Sequence, residues 1–303
     1  MPAGKPKLFK RLKRFLRYGL LRLTQKLLAV FPIRWVSGLG ARLGWLASVV
    51  LPGEFKKALA SLAIAFPENT LAHNKRLARD CFAHLGRTVG ELACFSQIDA
   101  DMEAWVEWPQ EARQVLEEAR SLGRGVIFVS GHVGSWELLA RRVAMAGIPS
   151  ASIAKASTDM RTTRWVEQFR AQGKLVTIWR ESPSSARQML QTLRNNGVLG
   201  LLIDQDTRVQ SVFVPFFGKP AKTPRAAADL ALRTQAPLVV GFCQRQASGR
   251  YRLHMRRVAT PAERSENAVF ELTATLTREI EEAICKAPEQ WTWIHQRWKT
   301  PPP

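Results

Sequence analysis

The sequence of 303 residues has little cysteine and carries no acidic residue before Glu54. Its four cysteines lie far apart and form no Cys-x-x-Cys pair, which argues against a zinc site and predicts free thiols in a reducing compartment. Glycine-rich phosphate loops of the GxGxxG and GxxxxGK[S/T] kinds are absent, so no nucleotide site is expected. The GxSxG nucleophile elbow is absent too, which argues against a hydrolase with a serine nucleophile.

The positive charge is concentrated at the amino terminus. The formal net charge is +20, and the first 53 residues contain eleven lysines and arginines. Between residues 8 and 21, leucine and phenylalanine recur at helical spacing with basic residues between them. This pattern is typical of a basic amphipathic helix that lies in an anionic membrane interface. A charged helix packed on its own protein is the alternative. We call residues 1–53 the N-terminal arm.

A second stretch of the arm, from Trp35 to Gly53, is nearly long enough to span a bilayer. Its leucines and valines favour insertion by about 2 to 4 kcal/mol, whereas Arg42 opposes it by about 2.5 to 3.5 kcal/mol. Because the two nearly cancel, we expect helices that lie in the interface or insert marginally, with a spanning helix as the alternative. The charge would also suit nucleic acid, but no RNP, helix-turn-helix or zinc-finger signature is present, so no nucleic-acid partner is expected.

The remainder of the chain predicts a single α/β domain over residues 54–303, with a mainly parallel central sheet flanked by helices. Apolar runs separated by helical stretches predict strands at 125–129, 152–155, 175–179, 198–203 and 238–244. The segment "RYRLHMRRV" at 250–258 is predicted to be the return strand of a hairpin, which would make the sheet mixed at one edge. A long helix is expected from residue 266 to 285.

One histidine stands at the carboxyl end of a predicted strand, where open α/β sheets bind ligands. The sequence there is "VSGHVGSWELL", with His132 in the turn and Glu137 in the first turn of the next helix. In this geometry Glu137 could accept a hydrogen bond from one imidazole nitrogen of His132. The other nitrogen would then be a general base that takes a proton from an alcohol. The alternatives are a helix-capping acid for Glu137 and a half-buried turn histidine for His132.

Six segments in this order resemble the late acyltransferases of lipid A biosynthesis, the lauroyl and myristoyl transferases of the Gram-negative inner membrane. They are "LAIAFPE" at 62–68, "HLGRTVGE" at 84–91, "SGHVGSWELL" at 130–139, "GLLIDQD" at 200–206, "VFVPFFGKPAKTPRAAADLALRTQAPLV" at 212–239 and "APEQWTWIHQRWK" at 287–299. The resemblance implies acyl transfer from acyl carrier protein to a hydroxyl of a glycolipid at the cytoplasmic face of the inner membrane. It implies no metal and no other cofactor.

Within this resemblance, His132 and Glu137 match the family's His-x4-acid dyad, which does not fix the acceptor. A phosphatidylinositol mannoside or an ornithine lipid is therefore an alternative acceptor to lipid A. Arg164, or Arg170 six residues later, looks like a family arginine that faces an anionic substrate.

Five further residues are candidates for substrate binding. Asp204 and Asp206 end a predicted strand and could position arginines or the acceptor; a solvated turn is the alternative. Lys219, Lys222 and Arg225 precede a helix whose amino end could bind phosphate. An ordinary basic surface is the alternative for these three. Relatives often carry Thr-Gly where this sequence has Arg225 and Ala226. The tryptophans of "WTWIHQRW" could form a membrane-interface belt or be buried in the domain.

Overall fold

A computed structural model describes residues 8–303, with side chains from Lys13 onward. Residues 1–7 of the N-terminal arm lie outside the described residues. Four helices come first: α1 (Leu8–Leu28), α2 (Ile33–Val50), α3 (Pro52–Ala65) and α4 (Leu71–Leu92). Thr70 caps α4 by accepting a hydrogen bond from the backbone of His73 at 3.2 Å.

Helix α2 packs against α4 with their backbones in close contact, because both helices carry glycine at the crossing. A Cβ atom on Gly40 would lie 2.4 Å from the Gly86 carbonyl oxygen, and one on Gly44 would lie 2.1 Å from the Phe82 carbonyl oxygen. No helix among residues 8–303 combines the length and the apolar character needed to cross a membrane. The alternative of a spanning helix at 35–53 is therefore not supported, while the expected interfacial placement and the division of the chain after residue 53 stay predictions.

The short helices α5 (Phe95–Ala100) and α6 (Met102–Trp105) lead into the sheet domain. Its strands are β1 (Val106–Glu107), β2 (Val126–Ser130), β3 (Ser150–Ala154), β4 (Leu175–Trp179), β5 (Val198–Leu202), β6 (Ser211–Phe216), β7 (Lys219–Pro224), β8 (Leu238–Arg245) and β9 (Tyr251–Val258). Seven of them form one sheet in the order β1-β9-β8-β2-β5-β3-β4. All neighbours pair in parallel except β8 and β9, which are antiparallel.

Helices cover both faces of this sheet because its strands alternate buried side chains between them. Ile127 and Val129 face one apolar cluster, which includes the helices at Ala226–Thr234 and Glu266–Lys286; Val126 and Phe128 face the other, which includes the helices at Gln110–Ser121 and Trp136–Met145. The helices of this domain are α7 (Gln110–Ser121), α8 (Trp136–Met145), α9 (Met160–Gln172), α10 (Ser185–Arg194), α11 (Ala226–Thr234) and α12 (Glu266–Lys286).

The predicted α/β class with a mostly parallel central sheet flanked by helices is confirmed. The predicted return strand is β9, antiparallel to β8, but the short parallel strand β1 and not β9 is at the edge. The sequence did not predict the separate antiparallel hairpin of β6 and β7. Its turn residues Phe217 and Gly218 both have positive φ, 49° and 68°. Such a turn commonly carries Asn-Gly, so Phe-Gly between two proline-containing segments gave no recognisable hairpin signal.

Candidate active site

The fold brings His132 and Asp204 together at the carboxyl end of two adjacent parallel strands. His132 follows β2 by two residues and Asp204 follows β5 by two residues. The strands pair in register, with Ser130 opposite Leu202. The two turns therefore leave the sheet side by side, at the edge where α/β proteins bind ligands.

Asp204 holds His132 by its side chain and its backbone. The imidazole Nδ1 lies 2.8 Å from Asp204 Oδ1, and the His132 backbone nitrogen donates to Asp204 Oδ2 at 2.7 Å. With Nδ1–H donating to the carboxylate, Nε2 carries the free lone pair and can accept a proton. The His132 side chain is 22% exposed, so a substrate can reach it, and its ring packs against that of Trp136 at 4.7 Å.

The Asp204 carboxylate is ionised although its side chain is only 1% exposed. Burial would raise its pKa, but the charge of His132 and the hydrogen bonds from His132 and Trp291 outweigh burial and lower the pKa to about 2. The Trp291 indole donates to Asp204 Oδ2 at 2.8 Å. The buried carboxylate therefore has fixed partners on both oxygens and is suited to stabilise an imidazolium.

Two glycines let the histidine turn lie this close to its neighbours. A Cβ on Gly131 would lie 3.2 Å from Asp204 Oδ2 and 3.0 Å from Ile280. Gly134 has φ +64°, and a Cβ there would lie 2.1 Å from the Cys243 carbonyl oxygen. A larger residue at Gly134 would require a backbone shift, whereas one at Gly131 would press on the side chains of Ile280 and Asp204.

The predicted hydrogen bond between Glu137 and His132 is replaced by other pairings, because the turn directs His132 towards β5 while α8 directs Glu137 towards α9. Glu137 binds the Arg170 guanidinium through both oxygens, with Arg170 Nε 3.0 Å from Oε2 and Nη2 in contact with Oε1. Both side chains are largely buried, at 18% and 10% exposed. Asp204, predicted as a substrate ligand, occupies the place expected for Glu137.

Glu137 and Arg170 line a narrow apolar cavity of about 40 Å³ between α8 and the sheet. Trp136, the ring in contact with His132, lines it too. Gly200 and Ser152 line the cavity on the side of the sheet. Gly200 leaves space there, since a Cβ on it would be 3.7 Å from Ser152 Cβ. The Arg170 Nη1 atom is buried without a hydrogen-bond partner. The site thus joins a base, an ion pair and an apolar cavity.

The other predicted site residues lie in varied surroundings. Arg164 is exposed on α9, and it is Arg170 on the same helix that meets Glu137. Asp206 is buried; its carboxylate accepts from the Thr300 backbone at 3.1 Å, and its own backbone nitrogen donates to His295 Nε2 at 3.1 Å. It therefore connects the loop after β5 to the C-terminal segment.

The basic candidates lie on and after the β6–β7 hairpin. Lys219 is exposed and Lys222 is partly buried. The Arg225 guanidinium is held by Asp229 and Glu266, with contacts of 2.9 and 2.7 Å, which raise its pKa. Phosphate binding by Arg225 would require exchange of these partners, so this role stays a prediction.

The tryptophans of the C-terminal segment are buried in the domain. Trp291 and Trp293 are 1% and 0% exposed, and Trp298 is partly buried against Phe216. Sequence reasoning noted Trp291 but could not connect it with Asp204, because the contact joins residues 87 positions apart.

Comparison with known proteins identifies the family. Residues 6–300 match the model for bacterial lipid A biosynthesis acyltransferases. The chain is 27% identical over 270 residues to the lipid A biosynthesis palmitoleoyltransferase of Escherichia coli (strain K12), covering 87% of this chain and 85% of the relative. It is 26% identical over 284 residues to the lipid A biosynthesis lauroyltransferase of the same organism, covering 91% and 89%.

A third relative is named for a different substrate. The phosphatidylinositol mannoside acyltransferase of Mycobacterium tuberculosis (strain CDC 1551 / Oshkosh) is 22% identical over 185 residues, which cover 60% of this chain and 57% of the relative. Together with the family match over nearly the whole length, these likenesses show that the chain belongs to the bacterial lipid A biosynthesis acyltransferase family.

Proposed function

We propose that this protein transfers a fatty acyl chain from acyl carrier protein to a hydroxyl of a lipid A precursor, with His132 as general base and Asp204 as the carboxylate that orients it. The observation that carries the proposal is the pair of hydrogen bonds from His132 to the buried Asp204, at 2.7 and 2.8 Å, which leave Nε2 as a base. Family membership and the lipid A relatives support the substrate class.

The reaction needs no covalent enzyme intermediate. The acceptor hydroxyl gives its proton to His132 Nε2 as its oxygen attacks the thioester carbonyl carbon. Asp204 stabilises the imidazolium formed in this step. The tetrahedral intermediate then breaks its C–S bond, and the imidazolium returns the proton to the departing thiolate of the carrier.

The apolar cavity between α8 and the sheet is the proposed acyl site, with Glu137 and Arg170 as site residues beside the thioester. Its lining is suited to hydrocarbon, and Trp136 links it to His132. A full acyl chain needs more room than about 40 Å³, so we expect the Trp136 and Arg170 side chains to move when the donor binds.

The N-terminal arm is the proposed contact with an anionic membrane surface, at the cytoplasmic face of the inner membrane. Large apolar side chains on it are exposed, including Leu20 at 65%, Val30 at 80% and Trp35 at 69%. An exposed apolar surface of this extent beside a basic helix favours an interfacial lipid contact. The same positive charge could attract the acidic carrier protein.

The test is acyl transfer in membranes that contain the wild type or His132→Ala, supplied with acyl carrier protein thioester and an under-acylated lipid A precursor. The proposal expects an acylated precursor with the wild type and a loss of at least about 100-fold with His132→Ala. A parallel reaction with a phosphatidylinositol mannoside tests the alternative acceptor, which the mycobacterial relative favours. Transfer to that acceptor alone would overturn the lipid A assignment and leave the chemistry in place.

A further inference from the structure

The C-terminal segment, residues 287–300, lies directly against the histidine turn. The Gly134 backbone nitrogen donates to the Gln290 carbonyl at 2.9 Å, and the Thr292 hydroxyl donates to the His132 carbonyl at 3.4 Å. Val133 also forms an isolated antiparallel bridge with Trp291. One segment therefore contacts both the backbone that carries His132 and, through Trp291, the carboxylate that binds it.

We propose that Trp291 is the positioning residue of the His132–Asp204 dyad, and this inference rests on the proposed function. Its indole N–H fixes the orientation of the Asp204 carboxylate, so that Oδ1 stays directed at the imidazole and Oδ2 at the histidine backbone. Without this donor, Oδ2 would keep only the backbone nitrogen of His132 as a partner.

Burial makes the Trp291 indole N–H difficult to replace by water as a hydrogen-bond donor to Asp204. Trp291 is 1% exposed and Asp204 is 2% exposed, so water cannot readily take the place of the lost donor. The ring is held by edge contacts with Trp293 at 4.6 Å and Phe216 at 5.6 Å, and the Cys81 thiol donates to the Trp291 carbonyl at 3.0 Å. Its position is therefore set by packing that does not involve the dyad.

Trp293 provides a matched control in the same segment. It is 0% exposed and belongs to the same apolar cluster, but its indole donates to the Pro288 carbonyl at 2.6 Å and not to the dyad. Phenylalanine at either position removes a buried indole and one hydrogen bond. A merely structural role for Trp291 predicts the same outcome for both variants.

Other ionisable groups face the dyad and stay unchanged in both variants. His295 and Arg297 interact electrostatically with Asp204, and Arg297 interacts with Asp206 as well. Lys299 lies near His295. Any difference in pH dependence between the two variants therefore reports on the indole donor.

The experiment compares Trp291→Phe with Trp293→Phe in the full-length protein. For Trp291→Phe we expect kcat to fall about tenfold with KM within about twofold, and the acidic limb of the rate–pH profile to move up by about half a pH unit, because a carboxylate that loses a donor holds the dyad's proton more tightly. The Nδ1–H signal of His132, assigned in histidine-labelled protein by its loss in His132→Ala, should shift in Trp291→Phe and not in Trp293→Phe. Equal behaviour of the two variants would overturn the inference.

A second measurement covers the case in which Trp291→Phe does not fold, and it needs no acyl transfer. In protein labelled with ¹⁵N-tryptophan, one indole N–H signal should shift in Asp204→Asn and remain in place in Asp206→Asn. If no indole signal responds to Asp204→Asn, the inference is wrong. Since these spectra do not depend on the acceptor or the donor, their failure is distinguishable from failure of the proposed function.

Discussion

Two carboxylates belong to this site, and the fold surrounds them differently. The Asp204 side chain is 1% exposed, and it receives hydrogen bonds from the backbone and ring of His132 and from the Trp291 indole. Glu137 is 18% exposed, and its partner is the Arg170 guanidinium. Asp204 can therefore stabilise a charge that appears on His132 during the reaction, whereas Glu137 is already neutralised by a permanent charge.

This difference distinguishes a carboxylate that acts in the proposed reaction, Asp204, from one that pairs with a side chain of fixed charge, Glu137. The partner of Asp204 changes its protonation in the proposed reaction, so the Asp204–His132 interaction can be stronger in the transition state than in the ground state. The partner of Glu137 is an arginine that stays charged throughout. We therefore expect loss of Asp204 to lower kcat, and loss of Glu137 to affect stability and the shape of the proposed acyl cavity.

The largest expected effect comes from disrupting the His132–Asp204 pair. Asp204→Asn should lower kcat by about 10²- to 10⁴-fold, because the neutral amide cannot stabilise the imidazolium and can favour the wrong tautomer. The matched control is Asp206→Asn, also buried but bonded to the Thr300 backbone. Initial rates at saturating substrate measure the effect; similar kcat values for the two variants would contradict the role of Asp204.

The second prediction concerns the Glu137–Arg170 ion pair. Glu137→Gln should lower the free energy of unfolding by about 3 kcal/mol or more, since it leaves the guanidinium of Arg170 buried without a counter-charge. The double variant Glu137→Leu/Arg170→Met should be more stable than Glu137→Gln, because it removes both charges. Urea unfolding measures the free energy of unfolding of the wild type and of both variants. A double variant that is less stable than Glu137→Gln would show that the ion pair is not the reason for the loss.

A third prediction concerns His84, which contacts the same turn as His132 but is not paired with a carboxylate. Burial, opposed by a hydrogen bond to the Gly134 backbone, lowers the pKa of His84 to about 4, from 6.5. The unfolded chain therefore binds more protons than the folded one between about pH 6.5 and pH 4, and stability falls as the pH falls through this window. At pH 5 His84 should have removed about 2 kcal/mol of the stability present at pH 7.

The variant His84→Gln should flatten this part of the stability profile, as measured by urea unfolding at pH 7 and pH 5. The exposed His73 gives the control, and His73→Gln should leave the profile unchanged. If His84→Gln loses as much stability between pH 7 and pH 5 as the wild type, His84 is not the source of the acid sensitivity.

The smallest expected effect concerns the cavity beside Glu137. Gly200→Ala and Gly200→Val should progressively favour shorter acyl chains, with a change in preference of about tenfold for valine, because the added methyl groups fill the floor of the cavity. A Cβ fits there, since its contact with the Ala151 carbonyl oxygen would be 3.6 Å. Competition between two acyl carrier protein thioesters measures the preference; an unchanged preference in both variants would place the acyl chain elsewhere.

The sequence predicted the class of the fold because its strands and helices are strongly periodic. It also placed His132 correctly at the end of a strand. The identity of its partner depended on strand order, since β2 and β5 are neighbours in the sheet although β3 and β4 lie between them in the chain. Spacing along the sequence favoured Glu137, and spacing contains no information on strand order.

The tryptophans are a second case in which the sequence alone could not predict a tertiary contact. Exposed Trp35 and buried Trp291 both lie in segments rich in apolar and basic residues. Composition could not distinguish an exposed side chain from one packed beneath the candidate active site. Only the tertiary contacts of Trp291, with Asp204 and Phe216, assign it to the interior.

The most direct test of the central claim is a double-mutant cycle on the rate of acyl transfer. Groups that act through one another are not additive. We predict that Asp204→Asn has little further effect, within about twofold, once His132 is replaced by alanine, whereas Glu137→Gln retains its own effect in that background. If His132→Ala instead abolishes the effect of Glu137→Gln and not that of Asp204→Asn, Glu137 is the partner of His132 during the reaction, and the assignment of Asp204 is wrong.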